Sequence, residues 1–122
     1  MLKGSTTEIQ YSGIDYELRD LIRYMNDVDG VETIASCCGH GEMPCQIWFK
    51  ADDIVCVTKF INRYFYCNPN WRVVFAMSDT DIDDEQWDRP TYLLETTFTD
   101  YYYTGMAIDN LTYKFKEIVN EV

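Results

Sequence analysis

Hydrophobic residues in this chain recur at two spacings, and the order in which those spacings alternate leaves few folds open. Over residues 14 to 25, IDYELRDLIRYM, the side chains of Ile14, Leu18, Leu21, Ile22 and Met25 fall on one helical face. Ser12 stands where an N-cap is expected, and Asp15, three residues on, serves as a short carboxylate version of a capping box. This helix stops near NDVDG. The period then drops to two. GVETIASCC is β-branched at Val31, Thr33 and Ile34, and CQIWFK places Ile47 and Phe49 on one side, so both segments are expected to be strands.

Helical spacing returns in ADDIVCVTKFINRYFYC, through Ile54, Val57, Ile61 and Tyr64, with Asp52 as the expected cap, Asp53 in the first turn and NPNW as the stop. WRVVFAM and TYLLETTF are two further strands, joined by SDTDIDDEQWDRP, which is longer than a hairpin requires. TGMAIDNLTYKFKEIVNEV closes the chain as a helix carrying Ile108, Leu111, Phe115, Ile118 and Val122, with Thr104 as its expected cap.

The order α-β-β-α-β-β-α predicts an α+β fold. Short links make antiparallel neighbours and amphipathic helices need a sheet to bury against, so a four-stranded, mainly antiparallel sheet covered by helices is expected, its strand order left open. The 122 residues, 47% of them hydrophobic, suffice for one core and hence a single domain over 1–122. With 16% aromatics the chain is not a disordered acidic tail. No apolar run approaches the roughly 18 residues of a membrane span, and no secretory signal is legible, so a soluble, cytoplasmic protein with no membrane partner is expected.

Five cysteines are an odd number, which argues against a fully paired disulfide framework and toward thiol or metal chemistry. Cys37, Cys38, the chain's single histidine His40, and Cys45 lie in the connection between the first two strands, and therefore at one end of the sheet. The second strand runs away from that end and the next helix runs back, which returns Cys67 to it and leaves Cys56 in the core at the other end. Zinc takes four Cys or His ligands in a structural site, and these five candidates offer enough for one zinc site at the sheet edge. Gly39 and Gly41 permit the dihedrals such a turn needs, and Pro44 stiffens the return. Adjacent Cys37 and Cys38 point to opposite sides of a regular strand, so both bind one ion only if the strand has already ended.

Two other readings use the same residues. A catalytic zinc would keep an open position with Glu42 as general base, although thiolate-rich sites are usually closed. A Cys38–His40 nucleophile pair has no evident third group to orient it.

Twenty-one Asp plus Glu against ten Lys plus Arg give a formal charge of -11, which repels phosphate backbones and draws the chain toward basic surfaces. No direct binding of nucleic acid is expected; a basic protein that itself handles nucleic acid is the expected partner. The longest acidic run, Asp79, Asp81, Asp83, Asp84, Glu85 and Asp88 with Trp87 among them, is the candidate contact surface. It is not an EF-hand, because Asp84 stands at the glycine position and Pro90 at that of the bidentate Glu. Tyr101, Tyr102 and Tyr103 add an amphipathic cluster beside a helix start.

Ser36 to His40 resembles the S-S-C-S-G-R strand end of the third wybutosine tRNA-modification enzyme, with His40 where that enzyme has Arg and without its basic surface. The CCGHG element in a small, very acidic chain is similar to phage-encoded anti-CRISPR proteins that act on type II-A effectors, a family with a zinc-containing member. That resemblance implies a non-enzymatic inhibitor that binds an RNA-guided CRISPR nuclease stoichiometrically and blocks DNA loading into its positively charged channel. The alternative is a small-ligand (nucleotide-like) binding or RNA-modifying protein that uses the Cys/His/Gly edge as a pocket.

Overall fold

The computed structural model describes residues 14–76 and 91–119, and the structural statements here concern those residues. A 3-10 turn at Tyr16–Leu18 leads into α1 (Arg19–Asn26), followed by β1 (Val31–Cys37), β2 (Gln46–Ala51), α2 (Ile54–Tyr64), β3 (Trp71–Ala76), β4 (Thr91–Thr96) and α3 (Tyr101–Val119). This is the α-β-β-α-β-β-α order that the spacing predicts. All three strand pairings are antiparallel, and the sheet order is β1-β2-β4-β3. α2 carries the chain past the position beside β2, and β4 then fills that gap. No described helix is long and apolar enough to cross a membrane.

The register places Phe49 opposite Tyr92, and Ile47 opposite Leu94. These residues share the sheet face on which the helices lie. Phe60 and Tyr64 of α2 and Phe115 of α3 complete an aromatic core, with ring centroids 5.4 Å apart for Phe49 and Phe60 and a stacked Tyr64–Phe115 pair at 3.9 Å. Leu18, Leu21, Ile22 and Met25 bury the inner side of the first helical segment. Each such side chain contributes about 1.5–3 kcal/mol through the apolar area it removes from water.

The helix starts differ from the sequence expectations for local reasons. Asp53, not Asp52, caps α2: its extended backbone leaves Oδ1 free to accept the N–H of Cys56 at 2.8 Å. Phe60 replaces Ile54 in the buried face of α2, with Ile54 exposed on the first turn. α3 begins at Tyr101, because Asp100 rather than Thr104 serves its first turn, accepting the Tyr103 N–H at 3.0 Å. Thr104 is inside the helix and buried. Ser12 and Val122 lie outside the described residues.

α1 runs beside β1 and meets the outer edge of that strand through one buried side chain. Asn26 Oδ1 accepts the N–H of Thr33 at 2.9 Å, while Nδ2 donates to the Ile22 carbonyl at 3.0 Å and to Thr33 Oγ1 at 2.7 Å. A part-buried edge N–H is thereby paired. Directly after it the register of β1 against β2 shifts between Thr33 and Ala35, a bulge at Ile34. The extra residue inverts the alternation downstream. Ser36 now opposes Ile47 and Cys37 opposes Gln46, so Cys37 leaves the core face at the strand's last position and Cys38 turns toward the interior.

Candidate metal centre

β1 ends at Cys37, and the chain reverses through Gly39, His40 and Gly41, whose φ angles are +87°, +52° and +81°. Three successive left-handed residues make a tight turn that side chains disfavour. At Gly39 no other residue fits, since a Cβ there would lie 2.1 Å from the carbonyl oxygen of Met43. The Gly39 carbonyl accepts the N–H groups of Glu42 and Met43 at 3.0 and 3.1 Å, closing the turn on itself. His40 projects from it into solvent.

Asp15, immediately before the 3-10 turn, reaches this turn from the other side. Its Oδ2 accepts the backbone N–H of Cys38 at 2.9 Å and lies 3.7 Å from His40 Nε2. The Cys38 thiol is 3.5 Å from His40 Nδ1 and 4.0 Å from Nε2, and Cys37 Sγ accepts the Gly39 N–H at 3.5 Å. One ligand atom each of Asp15, Cys37 and His40 lies within 4.8 Å of the others, a group that could hold a metal ion. Donors around a tetrahedral ion with bonds of about 2.0–2.3 Å stand roughly 3.3–3.8 Å apart. An exposed imidazole can close the remaining distance.

Asp15 and the neighbouring thiols make this turn suited to a cation. The Cys38 N–H is the main influence that holds the Asp15 carboxyl below its usual range, with the Cys38 thiol and His40 adding to it against a partial burial penalty. Burial pushes the Cys38 thiol up, and Asp15 beside it pushes the same way. Burial also raises Cys45 to about 12, with added repulsion from Cys38, Cys37 and Asp15. A cation would offset the burial cost and the repulsion that keep these thiols protonated.

Of the five ligands expected from sequence, Cys37 and His40 enter the group directly and Cys38 adjoins His40. Cys45 is wholly buried beneath them; its N–H donates to Thr96 Oγ1 at 2.9 Å and its carbonyl accepts the Thr96 N–H at 3.0 Å. Cys67 does return to this end of the sheet. The carbonyls of Pro69 and Asn70 bond to Thr97, next to Thr96. But β3 occupies the far edge, with β4 and β2 between it and β1, so Cys67 is exposed and outside the Asp15–Cys37–His40 group. Cys56 packs half-buried against the core at the opposite end, its Sγ 3.7 Å from the Asp29 carbonyl. The acidic run Asp79, Asp81, Asp83, Asp84, Glu85, Trp87 and Asp88 lies outside the described residues.

Asp15 is the candidate ligand that sequence reasoning missed. Three residues after Ser12 it reads as the carboxylate of a capping box, but the helical segment starts only after it, and its side chain makes no cap hydrogen bond and bonds 23 residues downstream instead. It also supplies the carboxylate that a Cys38–His40 pair lacks in sequence. A scan against protein-family models, a search of curated proteins and a search of solved structures each return no match to this chain.

Proposed function

We propose that this chain is a non-enzymatic, acidic binding domain, held at one end of its sheet by zinc, that inhibits a basic nucleic-acid-handling protein by occupying its surface. In this reading Asp15, Cys37 and His40 hold the ion, with Cys38 as the fourth ligand. The observation that carries the zinc is the donor set itself: one oxygen, one nitrogen and one sulfur within 4.8 Å of one another. A mixed, thiol-containing set suits borderline-soft zinc and not the hard cations that take oxygen alone. Bound zinc supplies the charge that keeps its thiol ligands deprotonated near neutral pH. Asp15 precedes the first helical segment and Cys37 ends β1, so the ligands tie together parts of the chain that the unfolded state leaves far apart.

The formal charge of -11 supports a basic partner. The resemblance of the CCGHG element to type II-A anti-CRISPR proteins supports an RNA-guided nuclease as that partner, with Asp79 to Asp88 and Trp87 as part of the contact. The test titrates the zinc-loaded chain into a guide-loaded type II-A nuclease and follows DNA cleavage. Inhibition should plateau at equimolar inhibitor and weaken with salt, and neutralising Asp81, Asp83, Asp84 and Glu85 should weaken it further. Inhibition far below equimolar ratio, or none, contradicts the reading.

A second reading has one specific observation in its favour. Cys38 Sγ, His40 and Asp15 Oδ2 form a thiol–imidazole–carboxylate chain with steps of 3.5 and 3.7 Å. Burial raises the Cys38 thiol, which disfavours the thiolate that a nucleophile and a ligand both need; a bound cation would offset that cost, and the unaided pair has nothing that does, so the metal is preferred. Fast alkylation of Cys38 in the zinc-free chain, or a small molecule retained in native mass spectrometry, would reverse that preference toward an enzyme or a ligand pocket.

A further inference from the structure

The first turn of α3 carries Tyr101, Tyr102 and Tyr103 in succession. Consecutive helical residues point about 100° apart, so three in succession cover about 200° of the helix circumference. None of these is buried: they are 62%, 69% and 59% exposed, and Thr104 is the first residue of α3 to be covered. More than half of the circumference of this turn is therefore open, and it presents three phenolic rings together.

That turn is ordered from within. Tyr103 meets Phe98 and Tyr102 edge to face, at 6.3 and 5.5 Å between ring centroids. Asp100 fixes the backbone beneath, accepting the Tyr103 N–H through Oδ1 and the Thr104 N–H through its carbonyl at 2.9 Å. A surface already held in place loses little freedom when a partner covers it. It is also continuous with the metal turn. A Cβ at Gly41 would sit 3.5 Å from Tyr101 Cβ, and the Tyr101 hydroxyl is 3.5 Å from Glu17 Oε1.

The charges around it are mostly of one sign. Glu17, Glu42 and Asp100 are exposed at this end, and Asp100 also offsets the positive end of the α3 dipole. Arg19 provides an internal example of what such rings accept: its guanidinium lies 5.8 Å over the ring of Tyr16, in the adjoining 3-10 turn.

We propose that the exposed Tyr101–Tyr103 cluster is the docking surface for an arginine-rich segment of the basic partner, an inference that rests on the acidic-binder reading above. Guanidinium is planar, stacks on aromatic faces and pairs with carboxylates in a fork, and tyrosine beside carboxylates offers both. An ammonium group gains the charge attraction but less of the stacking. Recognition here should therefore distinguish arginine from lysine.

The experiment titrates the full, zinc-loaded chain with a labelled alternating Arg-Gly peptide and with its Lys-Gly counterpart, following fluorescence anisotropy at low salt. The Arg peptide should bind about tenfold more tightly than the Lys peptide, within the range of a desolvated cation–π contact. Tyr101→Ala and Tyr102→Ala should each remove most of that preference, Tyr102→Phe should keep it, and Tyr66→Ala and Tyr113→Ala, at exposed tyrosines elsewhere, should leave it unchanged. Equal affinity for the two peptides, with no effect of Tyr101→Ala or Tyr102→Ala, would overturn the tyrosine surface while leaving a charge-driven binder standing. Binding of neither peptide would overturn both.

Discussion

The carboxylate of Asp15 accepts the backbone N–H of Cys38 at 2.9 Å, joining the entrance of the first helical segment to the exit of the first strand. One acceptor thus fixes the turn that carries Gly39, His40 and Gly41. Removing it should expose how much of the sheet end depends on a single long-range contact.

Asp15→Ala should destabilise the zinc-free chain by about 1–3 kcal/mol, the cost of leaving a part-buried N–H without its partner. The loss also depends on pH. Asp15 titrates lower in the folded chain than in the unfolded one, so its charge contributes fully above the unfolded value of about pH 4 and the contribution fades as pH falls through the folded value. Asp15→Asn keeps an acceptor oxygen and removes the charge. Urea unfolding of Asp15→Asn and of the parent chain should therefore differ at pH 6 and converge at low pH; a constant difference would show that the charge of Asp15 is not what matters.

Two glycines should respond to the same substitution in opposite directions. Gly39→Ala drives a Cβ into the Met43 carbonyl from a left-handed backbone, and should cost at least about 2 kcal/mol. A Cβ added at Gly105, inside α3, would meet nothing within 4 Å. Gly105→Ala should stabilise by about 0.5–1 kcal/mol, because alanine gives up less backbone freedom in a helix. Thermal melts of the two variants check both signs at once.

The thiols should react in an order set by access. Exposed Cys67 should be alkylated first and buried Cys45 last, since with its thiol pushed up to about 12 it is also scarcely ionised at pH 8. Zinc should slow Cys37 and Cys38 and leave Cys67 unaffected. Peptide mass spectrometry over a time course of alkylation reads the order directly, and protection of Cys67 by zinc would place it back among the ligands.

The element order was legible because the helices carry apolar residues at spacings of three and four, as from Leu18 to Met25, and the strands carry β-branched or alternating runs, as at Ile47 and Phe49. The left-handed turn was legible too: Gly39 and Gly41 announce it, and both have positive φ. What the sequence does not express is anything decided by a distant partner. Asp15 looks like a cap because caps are local, and only the fold brings Cys38 to it. The bulge at Ile34 leaves no mark in a β-branched run, yet it decides which of Cys37 and Cys38 faces inward. Topology returns Cys67 to the correct end of the sheet, but the insertion of β4 beside β2 displaces it sideways, and a linear reading of strand order cannot foresee that.

The measurement that bears most directly on the zinc site is elemental analysis of the purified, untagged chain beside Asp15→Ala, Cys37→Ser and His40→Ala, each checked for folding by circular dichroism. One zinc per chain in the parent, with metal content falling in all three variants, is the predicted result. A folded parent without metal, or zinc retained undiminished in Asp15→Ala and Cys37→Ser, would contradict it.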